Sequence, residues 1–157
     1  MNKLGLLFIF ILVFSLSSPA LEESPLKIKA SVEPQRLSRA EEGKIVLDLT
    51  SNKGVTISPQ PSFTIEFDPC DELIFPKNFF NASDLGIEIL EDNGYEYLNL
   101  KDPIEIYFTV SPEAKRGRHN LQGKIKYFAR SQEGWCLKTF SKFSVSFSTR
   151  STRVKKK

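Results

Sequence analysis

Apolar residues recur at every second position along most of this chain, a period that suits strands with one buried and one wet face. "LKIKASV" sets Leu26, Ile28, Ala30 and Val32 against Lys27, Lys29 and Ser31. "KIVLDLTS" repeats the pattern with Ile45, Leu47 and Leu49, and "SFTIEF" with Phe63, Ile65 and Phe67. "PIEIYFTV" aligns Ile104, Ile106, Phe108 and Val110, and "KFSVSFS" aligns Phe143, Val145 and Phe147. Turn signals separate these runs: "SNKG", "SPQP", and "EDNGYEY", where Asn93-Gly94 predicts a two-residue hairpin turn with positive φ at both positions. "SPEAKRG" predicts one helical turn, with Ser111 as cap, Pro112 in the first position and Gly117 as stop. No longer stretch carries a helical stripe. The succession predicts an all-β antiparallel sandwich of about seven to nine strands.

Residues 1–20 read as an address. Lys3 precedes the apolar "LGLLFIFILVFSL", and Ser18 and Ala20 stand where a signal peptidase reads small residues. The apolar run is shorter than the roughly 20 residues that span a bilayer, which favours cleavage near Ala20 over an uncleaved anchor. A periplasmic or secreted protein is expected, with one domain over 21–149 and a basic tail over 150–157.

The net charge of +3 is unevenly placed. Five basic residues fall in "RSTRVKKK" and Lys3 is a sixth; the body, with 16 bases against 19 acids, is acidic. That balance does not suit a nucleic-acid-binding protein. The tail reads as a solubilising segment, with weak contact to an anionic membrane surface as the alternative.

Thirteen phenylalanines are present, three of them in the leader, and most of the others occupy inward positions of a core. "LIFPKNFF", residues 73–80, breaks the alternation. It predicts either an edge segment folded over the core or an exposed docking patch.

Few residues suggest chemistry. His119 lies in the polar "RGRHN" and has no visible catalytic partner, so it reads as a strand-start polar residue. One histidine and two distant cysteines are too few for a metal site, and no glycine-rich phosphate loop or other cofactor signature is present. Glu88, Glu91 and Asp92 read as solvated charge, and Asn81-Ala82-Ser83 matches the N-glycosylation triplet. Cys70 and Cys136 are a candidate disulfide pair, since two cysteines in an exported chain most often bridge. Such a bridge would close a loop of about 65 residues and stabilise by roughly 4 kcal/mol.

"GKIKYFARSQEGWCLKTFSKFSVSF" resembles the cysteine-bearing hairpin of the amino-terminal periplasmic domain of the bacterial thiol:disulfide interchange protein, the DsbD type. Tyr127, Gly134, Trp135, Cys136 and the "FSVSF" strand match that pattern, and "SVEPQRLSRAEEGKIVLDLTSNKGVTISPQP" is similar to the family's opening strands. The resemblance spans most of residues 26–148 and implies an immunoglobulin-like sandwich. Where the family has its first hairpin cysteine, this chain has Arg130. The family's dithiol passes electrons by thiolate attack and resolution; here Cys136 lacks a resolving partner within the hairpin, and residues 1–157 hold no stretch that matches the family's transmembrane reductase segment, so family-type electron transfer is not expected.

Three functions follow as expectations. One is a non-enzymatic interaction module with a Cys70–Cys136 bridge and a thioredoxin-fold or other exported protein as partner. Another is thiol-disulfide exchange through Cys136 as the catalytic residue, with Arg130 favouring its thiolate form. The third is a carbohydrate- or envelope-binding sandwich that uses "LIFPKNFF", including Phe79, or aromatic residues near Trp135.

Overall fold

The alternating segments form strands in the computed structural model, which describes residues 23–60 and 63–150. The expected leader and residues 151–157 of the expected tail lie outside the described residues. Twelve strands follow in chain order: β1 (Leu26–Glu33), β2 (Arg36–Ser38), β3 (Glu42–Ser51), β4 (Val55–Ser58), β5 (Thr64–Phe67), β6 (Leu73–Ile74), β7 (Phe79–Asn81), β8 (Ile89–Asp92), β9 (Tyr95–Leu98), β10 (Ile104–Val110), β11 (Gly117–Ser131) and β12 (Cys136–Arg150). The count exceeds the expected seven to nine because β2, β6 and β7 are only two or three residues long. Segments that short show no period in a sequence. β12 also runs one residue past the expected boundary, and Arg150 donates from Nε to Ser38 Oγ at 3.1 Å.

One sheet has the order β1-β3-β10-β6 and the other β2-β12-β11-β5-β7, with β4 also pairing β11. β2 pairs β12 in parallel, and the other neighbours are antiparallel. The inward side chains of the two sheets make one core, with Ile45, Leu47, Ile106 and Val110 on one side and Leu121, Ile125, Val145 and Phe147 on the other. This is an immunoglobulin-like β-sandwich.

"LIFPKNFF" takes the first of its two expected forms, an edge segment folded over the core. Its β6 end pairs β10 in one sheet, and its β7 end pairs β5 in the other. Between them Phe75 turns inward, stacked on Phe67 with ring centroids 4.6 Å apart and tilted against Phe108 at 5.9 Å. Phe67 in turn meets Phe143 edge-on at 5.9 Å. These four rings cross the sandwich from β12 to β10. Ile74 and Phe79 remain exposed on the outside of the strap.

β8 and β9 form the hairpin expected from "EDNGYEY", with φ of 51° at Asn93 and 78° at Gly94. Residues 111–116 make a hydrogen-bonded turn rather than the expected helical turn. Ala114 N donates to Ser111 O at 3.0 Å, and Gly117 at φ 137° opens β11. The run before Gly117 is too short to repay helix nucleation. His119 fastens this turn: Nε2 lies 2.8 Å from Lys115 O and 2.9 Å from Thr149 Oγ1, and the ring packs on Phe147 at 5.2 Å.

The Phe143 ring lies directly on the backbone of Gly123, its cross-strand partner. A Cβ at Gly123 would come within 2.4 Å of Phe143 Cζ. Gly123→Ala is therefore expected to destabilise the fold by about 1–3 kcal/mol through overpacking. The check is a lower urea midpoint with an unchanged m-value.

Candidate functional site at the hairpin tip

β11 and β12 pair without interruption from Gly117↔Thr149 to Arg130↔Cys136. At about 3.4 Å per residue, this ladder extends for roughly 45 Å. Its closing loop is ordered by short-range bonds. Ser131 N donates to Trp135 O at 2.9 Å, and Gly134 N to Ser131 O at 3.1 Å. Gly134 has φ 97°, which explains the glycine in the "EGWC" turn. Gln132 N donates to Gly54 O at 2.9 Å, so the tip is tied to the "SNKG" turn.

The Ser131–Trp135 bond makes Arg130–Cys136 the next, non-hydrogen-bonded pair, with Cα atoms about 4.5 Å apart. Arg130 also faces Thr56 on β4. Its guanidinium lies over the Tyr95 ring, 4.0 Å from the centroid. The charge expected to favour a Cys136 thiolate is thus engaged by an aromatic face on β9. Cys136 itself is exposed, and beside it stand Trp135 and Leu137, 40% and 47% exposed. Tyr95, 59% exposed, completes an apolar end to the hairpin.

Tyr95 had no signal of this role in the sequence. "EDNGYEY" gives a hairpin, but the docking of β9 against β4, and of Tyr95 on Arg130, depends on tertiary packing. Tyr127, by contrast, leaves the motif for the core. It is fully buried, and its hydroxyl lies 2.8 Å from Ser141 Oγ and 3.3 Å from Ser24 Oγ. Those contacts satisfy a buried polar group and give it a structural role.

The expected Cys70–Cys136 bridge is corrected: both cysteines are free. The reason is the direction of β5. It pairs β11 through Lys126↔Thr64 and Gly123↔Phe67, so the chain continues toward the base of the ladder, where Asp68 N donates to Gln122 O at 2.9 Å. Cys70 follows two residues after Asp68. The tip pair lies seven positions the other way along β11 from Gly123, about 23 Å off. A disulfide needs Cα atoms within about 7 Å.

Cys70 is half-buried against the core. Burial pushes its thiol pKa upward, and contacts with the Glu72 carboxylate add to the rise, with Sγ donating to Oε2 at 3.6 Å. Phe79 and Trp135 do not form one site either. Phe79 faces Glu66, which faces Lys124, and Trp135 lies beyond Arg130, roughly 20 Å further along β11. Asn81 is exposed and caps the turn after β7, its Oδ1 accepting from Asp84 N at 2.8 Å. Glu88 accepts from Asn99 Nδ2 at 2.6 Å and ties down the ends of the β8–β9 hairpin.

One exposed thiol with no second thiol in reach can form a mixed disulfide with another molecule. It cannot close an internal bridge, so release requires an external thiol.

No protein-family model matches the sequence, and no curated protein matches it. Among solved structures, murine CRIg is similar over 80% of this chain and 98% of its own, at 8% identity and a TM-score of 0.33. BcpA, the major pilin subunit of Bacillus cereus, is similar over 79% of this chain and 39% of its own, at 10% identity and 0.38. A conjugative transposon lipoprotein from Bacteroides eggerthii is similar over 77% and 98%, at 15% identity and 0.31.

The two thiols are expected to differ in reactivity. In the native protein near neutral pH, iodoacetamide is expected to modify Cys136 at least ~10-fold faster than Cys70, because Cys136 is exposed whereas Cys70 is half-buried and its thiol pKa is pushed upward. Mass spectrometry after denaturation resolves the two peptides. Equal rates, or protection of both thiols until a reductant is added, would contradict this geometry.

Proposed function

We propose that the chain is an exported, non-enzymatic interaction module. The immunoglobulin-like sandwich acts as a rigid frame, and the tip of the β11–β12 hairpin docks another exported protein. The observation that carries this reading is the exposure of Trp135 and Leu137 at the tip, beside a loop held by its own hydrogen bonds, with exposed Tyr95 of β9 packed on Arg130 of the same tip. Aromatic side chains on a fixed frame lose little conformational entropy on contact and are the common anchors of protein interfaces. The leader read in residues 1–20 supports export.

Thiol exchange through Cys136 is a second reading, favoured by the exposure of that thiol at the same tip. It would begin with attack of the Cys136 thiolate on a partner's disulfide. The new bond joins the two proteins, and the partner's other sulfur leaves as thiolate. With Cys70 remote, an outside thiol must resolve the adduct. A thioredoxin-fold protein of the same compartment has suitable chemistry.

A photo-crosslinking amino acid at position 135 tests docking in the native host. The expected result is a discrete adduct that survives reductant and is lost in Leu137→Asp. A probe at Tyr107, on β10 of the other sheet, is expected to give none. The same pattern from both positions, or no adduct at 135, would refute a docking tip. An adduct that forms without light, needs Cys136 and dissolves in reductant would favour exchange instead.

A further inference from the structure

The outward side of the β11–β12 ladder makes a surface distinct from the tip. On β11 it carries Lys124, Lys126 and Phe128; the residues facing them on β12 are Lys142, Phe140 and Lys138. Lys126 faces Phe140 and Phe128 faces Lys138, so cation meets ring across these two pairs and cation and ring alternate along β12, while Lys124 faces Lys142. Lys138 Nζ lies 5.9 Å from the centre of the Phe128 ring, and Lys142 Nζ 5.9 Å from that of Phe140. Phe140 is 55% exposed.

Charge is segregated onto this face. Glu66 is the carboxylate paired with this face's lysines, at 2.7 Å from Lys126 and 3.3 Å from Lys124, so one negative charge serves two lysines; Glu41 and Glu72 reach the ladder only near its base, each 3.8 Å from its partner, Arg150 and His119. Lys138 and Lys142 are exposed, with ring contacts rather than ion pairs among the described residues. With Arg118 and Arg130, six of the body's 16 bases stand on this side of the ladder beside one of its 19 acids; the rest carries 10 bases against 18 acids. A cationic strip on an otherwise acidic body concentrates polyanions along one line and repels them elsewhere.

We propose that this face binds a linear acidic polysaccharide, with Lys138 and Lys142 meeting its anionic groups and Phe140 packing against a sugar ring. The pattern follows a ribbon, which suits a chain-like ligand. Toward the base of the ladder the same face continues as exposed Ser144 and Ser146, opposite Gln122 and Asn120, which offer hydroxyl and amide partners for sugar hydroxyls. A lipid surface would use several apolar side chains to insert. On this ladder face Phe140 is the one large apolar residue exposed beyond a third of its area among the described residues.

The test uses the full chain, with alginate as the acidic glycan, dextran as its neutral counterpart, phosphatidylglycerol vesicles and a single-stranded oligonucleotide. Alginate is expected to bind and dextran not. Lys138→Ser with Lys142→Ser is expected to weaken alginate binding about tenfold or more and to lower the slope of log Kd on log salt by about two. Lys27→Ser with Lys29→Ser, on β1, removes the same charge and is expected to change the affinity less than twofold. Phe140→Ser is expected to weaken binding severalfold with no change in salt slope. Urea midpoints of all variants check that the fold persists. Absence of alginate binding, equal loss from the β1 pair, or a silent Phe140→Ser would overturn the proposal. So would tighter binding of the vesicles or the oligonucleotide than of alginate.

Discussion

Fourteen consecutive cross-strand pairs between β11 and β12 fix the rest of the structure. β11 is the strand on which β12, β4 and β5 all pair, so its register sets where each of them lies. Side chains alternate along a strand, and a slip of one residue would exchange every inward position for an outward one. In the observed register Leu121, Ile125 and Tyr127 enter the core, while Lys124, Lys126 and Phe128 face water or stand half-exposed. Gly123 opposite Phe143 locks that choice, because the ring occupies the space a side chain would need.

The same ladder separates the two thiols and defines the tip. β5 runs antiparallel to β11 and carries Cys70 toward the base, whereas Cys136 opens β12 at the far end. Arg130, where the resembling family has a cysteine, is held by Tyr95 from a hairpin that belongs to neither main sheet. These placements support a docking end with a single exposed thiol.

Much of the fold was legible because period-two alternation is a local signal. Val32, Ile45, Ile106 and Val145 are buried as their spacing predicts, and Asn93-Gly94 makes the turn its residue types require. The cysteine pairing was not legible. Compartment and even count favour a bridge, but its geometry depends on the direction of β5, which no local pattern records. Tyr95 was missed for the same reason: its partner is 35 positions away in sequence and meets it through the packing of β9 on β4. The short β6 and β7 were hidden inside "LIFPKNFF", where the crossing between sheets, rather than a period, determines which rings turn inward.

Introducing a cysteine by Arg130→Cys tests the register most directly. In the observed register the new thiol faces Cys136 across a non-hydrogen-bonded pair, at a separation that a disulfide spans without moving the backbone. Air oxidation is expected to give a monomer lighter by about two hydrogens. Its proteolytic map should join residues 130 and 136 and leave Cys70 free. Two free thiols on the hairpin after oxidation, or a bridge from position 130 to Cys70, would contradict the register on which the core, the tip and the cationic face all depend.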